Sequence, residues 1–191
     1  MRKLRDSQRG KVYKAQAVLA CYKKLGEGGL EESERYIKMV WTSPWTRRHF
    51  PEARKKGVPH LNDGRGTRSA SFRRTWHVIN LPRWARQHPT MLHEIAHALT
   101  YERPPHGWKW AQTYVALVQH FIGVEAGTRL KLSYRLNRVK FKPPRKMSPV
   151  QKARLAEMGR ANLARLTSQP SQGEPPAGQS TSPDSSGPAP E

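Results

Sequence analysis

Cysteine is almost absent from this chain: Cys21 is the single one in 191 residues. One cysteine makes neither an internal disulfide nor a cysteine-based zinc site, so any metal site must draw on other side chains. That usage fits a reducing, cytoplasmic setting. Long apolar runs are missing too. None approaches the ~20 residues that a membrane-spanning helix needs, and the basic start MRKLRDSQRGK is not followed by a signal-like apolar core. The expectation is a soluble protein with no membrane partner. Acidic residues are scarce, 14 against 35 Lys and Arg, for a formal charge of +21. All 35 basic residues precede Ser168 while three of the acidic ones follow it, which leaves the first 167 residues at +24. Such an excess favours a polyanion as partner, most simply DNA or RNA, without specifying which.

From Ser168 to Glu191 there is no Lys, Arg or aromatic residue, and Pro, Ser and Gly fill 15 of 24 positions. Such a segment cannot bury enough apolar surface to offset the entropy of ordering it, so it reads as a disordered tail. With only 36% hydrophobic residues overall, the rest suits one domain rather than two. The organisation expected is a domain over 1–141, a basic helical extension over 142–167 and the tail over 168–191.

Along the domain, Val12, Ala15, Leu19 and Tyr22 recur at helical spacing, which predicts a helix from Ser7 to Leu25, ended by the glycines of LGEGGL. A second helix is expected from an N-cap at Ser33 to a stop at Pro44. WTRRHFPEARKKGVPH shows no clear period. Three short strands follow, in Val58–Asn62, TRSASF and WHVINL, with Asp63-Gly64 as a hairpin signal. Helices are then predicted over Thr90–Tyr101, with Leu92, Ile95, Ala96 and Leu99 as its apolar stripe, and over Gly107–Ile122. Arg129–Phe141 reads as a basic helix or strand. Ser148, Pro149 and Gln151 form a capping box that opens a last, basic helix. The fold class expected is α+β, a short antiparallel sheet packed on the Thr90–Tyr101 helix with further helices around it.

That central helix carries polar residues where apolar ones would stabilise it more. In MLHEIAHALTYERPPHGWKW (Met91–Trp110), His93 and His97 lie four residues apart and so project from one helix face, one turn apart. Two imidazoles placed this way can share one tetrahedral metal ion. Glu94, beside the first, is placed to take a proton from a water that zinc acidifies to a pKa of about 7. The double proline ends the helix, and His106 opens the next, where a tight return aims a third ring at the same ion. Three protein ligands leave one position free, the arrangement of a catalytic site. Of the other histidines, His77 is a weaker candidate for supporting the ligands, His120 reads as core-edge or solvated, and His49, His60 and His88 carry no assignment.

HEIAHAL, the proline-containing spacer and HGWKW together resemble the SprT-like zinc metalloproteases, whose pattern is HExxH followed by a short spacer and an HGxxF/W element. The resemblance is nearest to a group of small, motif-named metallohydrolases of actinobacteria and their phages. The elements of that group occur here in order, as RDSQRGKVY (Arg5–Tyr13), DGRGTRSA (Asp63–Ala70), INLPRWAR (Ile79–Arg86) and HEIAH…HG, covering roughly Arg5 to Tyr134. The resemblance implies a minimal zincin core, His93, His97 and His106 as zinc ligands, Glu94 as general base, and a peptide or protein substrate laid along the sheet edge. It is also similar to proteases that act on DNA–protein crosslinks, whose DNA dependence would suit the charge.

No oxyanion stabiliser is evident: Tyr114, Tyr134, Arg129 and Arg135 are of the right type, and nothing in their spacing selects one. The leading expectation is a zinc-dependent metallopeptidase or, more broadly, a metallohydrolase. The alternative is a nucleic-acid-binding protein with a structural or vestigial zinc, using Trp41, Trp45 and Trp84 among Arg and Lys to stack bases. Hydrolysis of a non-peptide bond is a third possibility that HExxH leaves open.

Overall fold

Helices dominate the chain and a three-stranded sheet joins them, an α+β fold as expected. The computed structural model describes residues 6–22, 29–101, 104–143 and 148–167. The tail expected from Ser168 onward lies outside them, as do the expected helix end at Leu25 and most of the glycine turn. The chain divides into two units, Met1–Pro144 and Arg145–Glu191.

In the first unit, α1 (Arg9–Gln16) buries Val12 and Ala15 and tightens into a 3-10 segment, Ala17–Tyr22, that buries Leu19. The helix α2 (Leu30–Thr42) begins earlier than Ser33 suggested. Gly29 takes the cap position, and Ser33, buried inside the first turn, donates its hydroxyl to the Gly29 carbonyl at 3.1 Å. Pro44 does more than end α2. It opens α3 (Pro44–His49), capped by Ser43, whose Oγ accepts from the Thr46 N–H at 3.1 Å. A single turn, α4 (Glu52–Lys55), follows.

The strands are β1 (His60–Asn62), β2 (Ser71–Arg73) and β3 (Val78–Asn80), in the order β1-β3-β2. The sheet is mixed where a wholly antiparallel one was expected. β2 and β3 are antiparallel, Phe72 facing Ile79, but β1 runs parallel to β3, with Leu61 beside Ile79. Asp63-Gly64 therefore does not close a hairpin; the chain crosses to the far side of β3 before β2 begins. The turn has another use. Asp63 holds Arg86, and Gly64, at φ +64°, lies so near the next segment that a Cβ would stand 2.8 Å from the Pro82 nitrogen. The DGRG loop is thereby pinned against the start of the Arg83–Ala85 3-10 turn. Ile79 and Leu81 are fully buried.

The helix α5 (His88–Thr100) packs against β2, α2 and α6 (Trp108–Phe121), while α7 (Val124–Leu136) joins α6 to α1. Of the segment that read as helix or strand, 129–136 are helical, within a helix that starts before Arg129, and 137–141 are not. A hydrogen bond from Ser133 Oγ to the Ala15 carbonyl, 2.9 Å, fastens α1 to α7. The second unit contains α8 (Pro149–Thr167), where the expected capping box forms: Ser148 N–H donates to Gln151 Oε1 at 3.1 Å and Gln151 N–H to Ser148 Oγ at 3.2 Å. Among the described residues no helix is long and apolar enough to cross a membrane.

Candidate metal centre

Helix α5 is buried on almost every side, and among its buried residues stand His93 and Glu94. A helix in that position is normally apolar throughout, so the polar residues need partners. The helical repeat brings His93 and His97 together, with their Nε2 atoms 3.1 Å apart. His106 comes from outside α5. It precedes Gly107, the cap of α6, and its Nε2 lies 3.3 Å from that of His93. The ligand atoms of all three lie within 4.8 Å of one another. Two nitrogens bound to one ion at about 2.0–2.1 Å in a tetrahedron stand about 3.3 Å apart. The three imidazoles could thus hold a metal ion.

Protonation suits the same role. Burial pushes His93 well below its ordinary pKa, with the neighbouring rings adding to it, and takes His97 down to about 3. His106 is lowered by burial too, against the pull of Asp6. Neutral imidazoles keep a lone pair free for an ion.

The outer ring nitrogens are held as well. His106 Nδ1 lies 2.5 Å from Asp6 Oδ2, a carboxylate–histidine pair that leaves Nε2 facing the cluster. The Gln16 amide stands 2.9 Å from His93 Nδ1. The atom placed there is the amide nitrogen Nε2; an imidazole that turns its Nε2 lone pair inward carries its proton on Nδ1, and a half-turn of the amide brings its oxygen to match. Gln8, itself buried, donates to the His106 carbonyl at 2.7 Å and accepts from the Lys140 N–H. Trp110 of α6 forms a wall, its ring 5.1 Å from that of His97 and 4.7 Å from that of His106.

Glu94 points to the same place. Its Oε1 is 4.0 Å from His93 Nε2, and burial raises its pKa from 4.5 to about 8, offset in part by the Phe72 backbone N–H of β2. The carboxyl is therefore poised to hold or yield a proton near neutrality. His93, Glu94, His97 and His106 line a cleft of about 460 Å³, whose other side is Ser69–Phe72 at the free edge of β2 and Arg9 and Tyr13 of α1. A second cavity, about 430 Å³, adjoins it through Arg9, Tyr13, His93 and Glu94 and is bounded by Leu19, Pro89 and Tyr114.

Every residue predicted for the metal and its base is present in the cluster. The weaker candidates are not. His77 bonds Tyr101 Oη and the Gly57 carbonyl, each at 2.8 Å, and touches no ligand. His120 and His49 stack on Trp45, and His88 stacks on Tyr36. Tyr114 is occupied, donating its hydroxyl to the Pro89 carbonyl at 3.1 Å. Tyr134 is buried, Arg129 pairs with Glu125 at 2.5 Å on the outside of α7, and Arg135 lines a different cleft. Asp6, Tyr13, Gln16 and Trp110 have roles that sequence reasoning did not assign. Comparison with known proteins returns no significant match to a family model, a curated protein or a solved structure.

Proposed function

We propose that this chain is a zinc-dependent metallopeptidase of SprT-like type, or more broadly a metallohydrolase. His93, His97 and His106 would hold the zinc and Glu94 would act as general base. The observation that carries this reading is one juxtaposition: three imidazoles whose ligand atoms lie within 4.8 Å of one another, with the buried Glu94 carboxyl 4.0 Å from one of them. Zinc at such a site supplies a Lewis acid and lowers the pKa of water to about 7. Glu94 takes a proton from the attacking water and returns it to the leaving nitrogen as the C–N bond breaks. Asp6 holds the ring of His106 in the required tautomer, and Gln16 stands against Nδ1 of His93. The free edge of β2 beside the cleft suits an extended peptide paired through its main chain.

The test is cleavage of an unstructured protein by zinc-loaded wild type and Glu94→Gln. Turnover by wild type alone, with one zinc in each protein, supports the reading. Near-wild-type turnover by Glu94→Gln refutes the role of the base.

A second reading, nucleic-acid binding, is favoured by one observation. Trp84 is 60% exposed beside exposed Arg83 and Arg65, at a cleft of about 930 Å³ between the Asp63–Thr67 loop and Pro82–Gln87. Trp41, by contrast, is buried, and Trp45 is half-buried between His49 and His120. Only Trp84 of the three offers a free face for a base.

A further inference from the structure

A metallopeptidase needs a hydrogen-bond donor or cation at the oxygen that gains charge when water adds to the carbonyl. None of the four residues suggested by type supplies it: Tyr114 spends its hydroxyl on Pro89, Tyr134 is buried, and both arginines lie elsewhere on α7. Yet two tyrosines line the cleft: Tyr101, whose hydroxyl is bonded to His77 at 2.8 Å, and Tyr13. Tyr13 of α1 is 46% exposed, and its ring stacks on His93 with centroids 5.6 Å apart and planes 20° from parallel. The same ring meets the edge of His106 at 5.8 Å. It is part of both cavities that contain Glu94.

Its surroundings leave the hydroxyl proton available. The Arg9 guanidinium, one turn earlier on α1, lies 5.7 Å from the Tyr13 ring centre and within hydrogen-bonding reach of the hydroxyl. Arginine can only donate, so it engages the oxygen and leaves the O–H free to donate elsewhere. The position of α1 is not left to chance. Asp6 is tied to His106, Gln8 to His106 and Lys140, Gln16 to His93, and Ala15 to Ser133. Tyr13 sits in the middle of that set, on a helix held to the ligands at both ends.

We infer that Tyr13 is a catalytic residue that donates its hydroxyl proton in a hydrogen bond to the oxyanion of the tetrahedral intermediate, with Arg9 as its positioning residue. This rests on the peptidase reading. In the step concerned, water loses a proton to Glu94 and its oxygen bonds the carbonyl carbon. The C=O π pair moves to the carbonyl oxygen, and Tyr13 bonds that oxygen without transferring its proton. When the C–N bond breaks, the carbonyl reforms and the Glu94 proton goes to the departing amine. The RDSQRGKVY segment thus serves the site as a unit, with Asp6 and Gln8 on a ligand, Arg9 on Tyr13, and Tyr13 on the substrate.

The variant that tests this is Tyr13→Phe, which keeps the ring on His93 and removes only the hydroxyl. Two readouts are needed: steady-state cleavage of fluorescein-labelled casein, and calorimetric binding of an N-phosphoryl-leucyl peptide, whose tetrahedral phosphoryl group resembles the intermediate. The expected result is a kcat lower by about 10²–10³-fold, with KM within about threefold. Phosphoryl-peptide affinity should fall at least tenfold, while zinc content stays at one per chain. Unchanged kcat, unchanged phosphoryl-peptide affinity, or a loss confined to KM or to zinc content would overturn the role and leave Tyr13 as packing on His93. If zinc-loaded wild type neither cleaves casein nor binds the phosphoryl peptide, the peptidase reading and this inference fall together. If wild type does both and Tyr13→Phe equals it, the inference alone falls.

Discussion

At pH 6, zinc binding should release about one proton from Glu94 that Glu94→Gln does not release. The reason lies in how burial has divided the charges. His97, at about 3, carries almost no proton at pH 6, and His93 is lowered well below its ordinary value. Three histidines at the ordinary pKa of about 6.5 would instead release about 2.3 protons between them at that pH. Glu94, at about 8, is almost fully protonated there in the metal-free protein. Its carboxyl is 4.0 Å from His93 Nε2. A doubly charged ion within roughly 5 Å, at an effective dielectric near 20, favours its ionised form by about 6–7 kcal/mol. That is enough to draw it from about 8 into the ordinary carboxylate range, so it ionises as the metal arrives.

The assay is calorimetric titration of metal-free protein with zinc in two buffers of different ionisation enthalpy, which yields the number of protons released. At pH 6 a water acidified by zinc to about 7 stays mostly protonated and adds little. Glu94→Gln should release about one proton fewer than wild type. Equal release from the two proteins would refute the assignment to Glu94. Release of two to three protons from both would mean that the imidazoles titrate normally and are not packed as described.

Two further outcomes are expected. Asp6→Ala removes the partner of His106 Nδ1 and should weaken zinc binding by about 10–100-fold, read by competition with a chromogenic chelator; unchanged affinity would mean that α1 does not orient the ligand. Under the nucleic-acid reading, Trp84→Ala should weaken binding of a fluorescent single-stranded oligonucleotide by about 1–3 kcal/mol and leave zinc content unchanged, with wild-type affinity falling as salt is added. Equal affinity in the two proteins would remove Trp84 from any such surface.

The histidine cluster was legible because a helix converts sequence spacing into direction. His93, Glu94 and His97 occupy one turn of α5, so their mutual placement follows from the 3.6-residue repeat. His106 required only a short return after Pro104-Pro105. Local chemistry was legible in the same way at Ser148–Gln151, where both partners of the capping box are three residues apart. The sheet was legible in part. Strand positions follow from β-rich runs between turn residues, but pairing is a long-range choice, and Asp63-Gly64 looked like a hairpin because its other task, packing on Pro82, is invisible locally.

What could not be read is the contribution of α1. Asp6 and His106 are separated by 100 positions, and Gln16 and His93 by 77; no periodicity spans such gaps. On helical spacing alone α1 is an ordinary amphipathic segment, with Val12 and Ala15 inward and polar residues outward. The polar residues are where the information was. Once Val12 and Ala15 are buried, the helix is fixed in rotation, and Arg9, Tyr13 and Gln16 face the cluster as a consequence. The apolar face therefore sets where α1 lies, while the face that looks solvated completes the site. A reading of RDSQRGKVY as a basic helix start accounts for its charge. It leaves unexplained why an aspartate, a glutamine and a tyrosine should stand among the arginines, and their contacts with the histidine cluster account for all three.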